Sequence, residues 1–157
     1  MSAEAAAAPR LKPVIERART EAERRGDRRI GTDHLLLALL HDPDAPPARA
    51  LGVSLDQGRS ALDAMDRDAL GAIGVHLDMP LAAPPSRGSR RLPLNSAARS
   101  AVGESKRFAE RDGKGRRIEP RHLLLALLTS RHPDPAADLL GALSLDAPEV
   151  RQRLSAA

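Results

Sequence analysis

The sequence predicts an all-α protein in which two tandem four-helix units pack with pseudo-twofold symmetry into one domain. Three observations support this expectation. The heptapeptide HLLLALL stands at 34–40 and again, unchanged, at 122–128, 88 positions further on. Around each copy the apolar residues recur at intervals of three and four, which is the helical period. Aromatics are nearly absent, with one Phe and no Tyr or Trp, so the core has to be built from Leu, Ala, Val and Ile. At helical spacing that composition favours helices over a sheet of aromatic and β-branched residues.

The first eight residues, MSAEAAAA, hold an acid and no basic n-region, and are read as a frayed tail, not a secretory signal. Leu11, Val14, Ile15, Ala18 and Ala22 then fall on one stripe of an amphipathic helix that Gly26 closes. Thr32 or Asp33 is placed to cap the next helix, whose Leu35, Leu36, Leu37, Leu39 and Leu40 cover more than half of its circumference. A helix so apolar needs neighbours on several sides. Asp42-Pro43 and Pro46-Pro47 break the chain, and a short helix is expected over Ala48 to Leu51. Ser54 with Gln57 has the spacing of a capping box that opens a fourth helix, followed by a helical stretch from Asp66 to Ile73.

The match between the copies extends well past seven residues. AERRGDRRIGTDHLLLALL (22–40) returns as AERDGKGRRIEPRHLLLALL (109–128), with one residue inserted in the loop around Gly113 to Gly115. ARALGVSLDQGRSAL (48–62) is answered by ADLLGALSLDAPEVRQRL (137–154). In the second copy Asn95 is the expected first cap, Pro120 starts the leucine helix, Pro135 opens the short helix, and Ser144 or Asp146 opens the last. A period near 88 is too long for a solenoid repeat of roughly 20–50 residues, so each copy is expected to be a small bundle. The organisation read from this is a tail over 1–8, a first repeat over 9–73, an exposed linker over 74–94 rich in Pro, Gly, Ser and Arg, and a second repeat over 95–154.

Composition limits the chemistry. There is no Cys, hence no disulfide framework and no thiol chemistry, which suits a reducing cytoplasm, the expected location. The longest apolar run falls far short of the roughly 20 residues that a membrane-spanning helix needs. Of the 25 basic residues 22 are Arg, and with the abundant Ala this matches high-GC codon usage, as in an actinobacterium. The net charge is only +4, because 21 acids offset the arginines. Basic clusters lie at Arg24–Arg29, Arg87–Arg91 and Lys114–Arg117. Glu21, Glu23, Asp27, Glu110 and Asp112 are interleaved with them and no aromatic platform can stack bases, so a solvated, salt-bridged surface is expected and nucleic-acid binding is disfavoured. His34 and His122 take matching places at the starts of the leucine helices. With no third ligand in view they are read as structural residues that cap or pack there, not as metal ligands. Ser86, Ser89, Ser96 and Ser100 sit in no Gly-x-Ser-x-Gly elbow, and no nucleophile–base arrangement can be assembled. No enzymatic role and no cofactor are expected.

Two copies of a motif written IGTDHLLLALL (30–40) and IEPRHLLLALL (118–128) stand here, each after a helix ended by Gly and before a Gly-Val-Ser-Leu type turn. They resemble the double Clp N-terminal domain of the ClpA and ClpC unfoldases, over roughly residues 9–154. The resemblance implies an all-α, pseudo-twofold module that docks substrates and adaptors onto a Clp machine. No GxxxxGK[ST] phosphate loop occurs, so the expectation is a free-standing N-domain protein without the ATPase modules. In ClpC-like domains a Glu in each repeat's motif holds the guanidinium of a phosphoarginine mark, a task suited to a carboxylate because it accepts two parallel N–H bonds. The corresponding residues here are Asp33, still acidic, and Arg121, which reverses the charge and repels a guanidinium. The phosphate-side Thr corresponds to Ala8 and Asn95, and the family's amino-terminal aromatic to Ala7.

The candidate partner-binding residues are therefore Asp33, Arg28, Arg29, Arg116, Arg117, Arg121 and Asn95, around a groove expected between the repeats. The function these residues predict is non-enzymatic binding of a protein or peptide, such as a Clp substrate or adaptor, by an adaptor, decoy or regulator of Clp-dependent proteolysis. The alternative is sequestration of a peptide antibiotic or other small ligand that targets Clp unfoldases.

Overall fold

The computed structural model describes residues 3–74, 92–113, 115 and 117–156, with side chains from Leu11 onward. Eight helices fall among these residues, four in each repeat: α1 (Ala3–Arg24), α2 (Thr32–Leu39), α3 (Pro46–Leu51) and α4 (Leu55–Ala72), then α5 (Ser96–Asp112), α6 (Pro120–Leu127), α7 (Pro135–Ala142) and α8 (Ala147–Ala156). The fold is all-α, and among the described residues the extended backbone is limited to one parallel bridge between Ile30 and Leu94.

The local signals explain most of the boundaries. Leu11, Val14, Ala18 and Ala22 form the buried stripe of α1. That helix ends on Gly26 at φ 74°, with Asp27 N–H donating to Ala22 O (2.9 Å) and Gly26 N–H to Glu23 O (3.0 Å), so the left-handed residue satisfies two terminal carbonyls. The helix starts at Ala3, inside the stretch read as a frayed tail, because the alanines there continue the helix. Ser54 and Gln57 form the expected reciprocal cap, at 3.1 and 2.8 Å. α4 is one continuous helix where the sequence suggested two stretches. α3 begins two residues early, at Pro46, which lacks the N–H that a first turn leaves unpaired. In the second repeat Asn95, Asp134 and Asp146 each accept a backbone N–H at a helix start.

One cap differs from expectation. α2 is capped by neither Thr32 nor Asp33: Gly31 is the N-cap residue, and the side chain that serves it is His34, three residues on. Thr32 is instead buried against the other repeat, where its hydroxyl donates to Asp134 (3.0 Å) and accepts Ala136 N–H (3.2 Å).

The two leucine helices are central. Leu35 to Leu40 are all at most 3% exposed, as are Leu123, Leu124, Ala126 and Leu127, and they belong to one core shared by both repeats. α2 packs on α6, and the packing around that pair is nearly symmetric. α1 lies on α2 as α5 lies on α6, α4 crosses to α7 as α8 crosses to α3, and α2 touches α7 as α6 touches α3. Gly58 lets α4 approach α2: a Cβ there would stand 2.9 Å from both Leu37 Cδ2 and Leu40 Cδ1. The end of the expected linker also belongs to this body. Ile30 N–H donates to Pro93 O and Asn95 N–H to Ile30 O, while Leu92 and Leu94 pack on the core. Residues 75–91 of that linker lie outside the described residues.

Candidate functional site

Each leucine helix starts on a buried imidazole wired at both nitrogens. His34 Nδ1 accepts Gly31 N–H at 2.8 Å, and its Nε2 lies 2.7 Å from Asp27 Oδ2. His122 Nδ1 accepts Glu119 N–H at 2.8 Å, and its Nε2 lies 2.7 Å from Asp112 Oδ2. An Nδ1 that accepts must carry no proton, so the hydrogen sits on Nε2 and is donated to the carboxylate in both repeats. The two carboxylates are not counterparts in sequence. Asp27 lies in the loop after α1, whereas Asp112 stands where Arg25 stands in the first repeat. Lys114 follows Gly113 where Asp27 follows Gly26, and in the second repeat the carboxylate comes from the end of α5 instead. Both acids are exposed, as expected of a solvated surface, and from there they also orient the capping histidines. Hydrogen bonds from His122 hold the Asp112 carboxyl below the ordinary range, Arg121 adding to the effect.

Of the candidate partner-binding residues, Asp33 and Asn95 are brought together across the repeats. Both lie beside Gly31, so that a Cβ there would stand 2.6 Å from Asp33 Oδ1 and 3.2 Å from Asn95 Nδ2. Asn95 also caps α5 through its side-chain oxygen. Arg28, Arg29 and Arg117 are exposed in the loops before α2 and α6, and their side chains form no ion pair among the described residues. Arg116 lies outside the described residues. Arg121 is clasped: it pairs with Asp112 and with Glu119 at 2.9 Å, so much of its charge is answered within its own repeat.

A cleft of about 440 Å³ opens within the first repeat, between the end of α1 and the outer half of α4, lined by Glu21, Arg25, Arg59, Asp63, Asp66 and Leu70 among others. Its walls are ion pairs. Glu21 is only 1% exposed and is held by Arg59, through Nη2 at 2.5 Å and Nε at 3.1–3.2 Å, and by His41 Nε2 at 2.8 Å. Burial works to raise the Glu21 carboxyl, but the bonds from Arg59 and His41 outweigh it and hold it below the ordinary range. Arg25 bridges Asp63 (2.6 Å) and Asp66 on α4. At Asp66 burial wins over Arg25, and with Asp27 and Asp33 nearby the carboxyl lies above its ordinary range. This network was missed in the sequence because Glu21 was grouped with the solvated charges. The available signal was its spacing: Glu21 follows Ala18 by three, on the buried stripe of α1. The second repeat has Phe108 and Thr129 in place of Glu21 and His41, and its last helix is 10 residues long against 18 for α4.

His34 and His41 face different carboxylates, and among the described residues no three His, Asp or Glu side chains have a geometry that could hold a metal ion. No helix among them is long and apolar enough to cross a membrane.

Over 94% of its length the chain matches the crystal structure of the N-terminal domain of the caseinolytic protease associated chaperone ClpD from Arabidopsis thaliana, with a TM-score of 0.68 over 93% of that chain. Residues 1–74 match the family model of the Clp repeat (R) N-terminal domain. The chain has a Clp N-domain fold. Sequence identity to the ClpD domain is 20%, so that likeness carries the fold alone. No curated protein sequence matches the chain significantly. The match to the Clp family model ends with the first repeat, and it is the structural match that extends the Clp N-domain through the second. The equal wiring of His34 and His122 agrees with that extension.

Proposed function

We propose that this chain is a non-enzymatic binding module of Clp-dependent proteolysis, which engages a protein or peptide shared with a Clp unfoldase and so acts as adaptor, decoy or regulator. The observation that carries this reading is the Clp N-domain fold over nearly the whole chain. The placement of the residues supports it. All but one of the motif leucines, Thr32 and both motif histidines are buried inside the fold, which leaves the outside for recognition. There Arg28, Arg29 and Arg117 carry exposed charge, the first two in the loop that leads to Gly31, beside which Asp33 and Asn95 both lie. Such a rim contributes to partner choice and association rate more than to affinity.

The test is a reconstituted degradation assay with the Clp unfoldase and peptidase of the host. Adding the purified chain changes the rate at which a model substrate or an adaptor-delivered substrate is degraded, and Arg28→Glu with Arg29→Glu reduces that change. Unaltered degradation of both substrates, with no binding to unfoldase, adaptor or substrate, overturns the proposal.

A further inference from the structure

The last helix of the first repeat runs on past the core. Among the described residues Met65 is the last side chain of α4 that packs there. Beyond it Leu70 lines the cleft, and Ile73, at the helix end, is 75% exposed. A helix end without apolar tertiary support frays, so residues 66–72 need another tie to the body. Arg25, just after α1, supplies it: Nη1 donates to Asp63 at 2.6 Å and Nη2 donates to Asp66. We infer that this outer end of α4 is a salt-released arm, clasped by Arg25 at low ionic strength and freed at high, so that the cleft between α1 and α4 opens from its outer side.

The clasp is open to screening. The Asp63 and Asp66 side chains are 41% and 48% exposed, so dissolved ions reach both carboxylates. Burial holds the Asp66 carboxyl above its ordinary range although Arg25 pulls the other way, and the outer bond of the clasp therefore holds only weakly. Nearer the core, Arg59 and Glu21 close the inner part of the cleft with a pair whose carboxylate is 1% exposed, which salt reaches much less. Opening is thus confined to the turns beyond Met65. Neither half of the clasp recurs in the second repeat, where Asp112 stands at the place of Arg25 and the last helix has 10 residues against 18. The shared fold does without the clasp, which leaves it free to serve as a gate. The inference stands on this geometry and does not depend on the proposed Clp role.

Amide hydrogen exchange of the whole chain at neutral pH, in about 20 mM and about 500 mM sodium chloride, tests the inference. With the amides of Leu36 and Leu124 as internal reference, those of residues 69–72 exchange about threefold or more faster at high salt, while those of Leu62 and Met65 keep their protection. Arg25→Met keeps the apolar stem without the charge. Its outer amides exchange fast at both salt concentrations, and the salt dependence is gone. Asp66→Asn, at a half-exposed side chain, shows the same reduced response and decides the matter should Arg25→Met fail to fold. Equal exchange of residues 69–72 at both concentrations in the natural chain overturns the clasp. So does a salt effect that persists undiminished in the variants, or one that reaches Leu62 and Met65 equally.

Discussion

Replacing Arg59 by Ala removes most of the support beneath a carboxylate that water does not reach. Glu21 is 1% exposed, and its oxygens are held by Arg59 on one side and His41 on the other. Breaking a buried pair from one end costs about 3–5 kcal/mol when nothing else answers the stranded charge. Here His41 remains at 2.8 Å, and Arg59 is itself 23% exposed, so the loss comes to about 2–3 kcal/mol. Glu21→Leu behaves differently. It removes the charge that needs burial and leaves Arg59 and His41, whose side chains are 23% and 19% exposed and can turn to water, at a cost of about 1 kcal/mol or less. The same core position in the second repeat holds Phe108. In the Arg59→Ala background, Glu21→Leu therefore restores about 1–2 kcal/mol. Urea unfolding followed by far-ultraviolet circular dichroism at neutral pH measures all three variants. If Glu21→Leu adds its own loss to that of Arg59→Ala, or if Arg59→Ala alone is nearly neutral, the carboxylate is not buried as described. The pH dependence follows from the same bonds. Because Arg59 and His41 hold the folded-state carboxyl of Glu21 below its ordinary range, its contribution is complete above that range and is lost as pH falls through the lowered value. In Arg59→Ala the loss sets in at a higher pH.

Further outcomes are expected from the same packing. Gly58→Ala gains about 0.5–1 kcal/mol of helix propensity, yet loses about 1–3 kcal/mol to the contact with Leu37 and Leu40, for a net fall in the urea midpoint. Leu36→Ala and Leu124→Ala, counterparts on the two central helices, each cost about 2–5 kcal/mol and have similar effects, because both side chains are at most 1% exposed. Thr32→Val keeps the shape but gives up the hydroxyl bonds to Asp134 and Ala136, lowering stability by about 1 kcal/mol in the same assay.

What could be seen in the sequence was what repeats and what has a period. HLLLALL written twice, the stripe from Leu11 to Ala22, the Ser54–Gln57 box and the Asn95 cap are local patterns, and each has a local structural cause. Tertiary pairing of polar groups has no such signature. Asp112 stands in for Asp27 at the histidine from a position that alignment assigns to Arg25, and only the packing of α5 on α6 brings it there. Thr32 looked like a cap by residue type but is drawn to Asp134, 102 positions away. Glu21 was legible in part, since its place on the buried stripe was visible and its partner Arg59 was not. At the candidate site, the meeting of Asp33 with Asn95 depended on the Ile30–Leu94 bridge, a contact between repeats that no short-range pattern encodes.

Methyl-to-methyl nuclear Overhauser effects in a sample labelled at leucine methyl groups address the central claim, that α2 and α6 lie against each other in one shared core. Cross-peaks linking the 35–40 leucines to the 123–128 leucines are expected, in the monomer and at low concentration. Cross-peaks only within each repeat would mean two separate bundles, and would contradict the double-repeat domain.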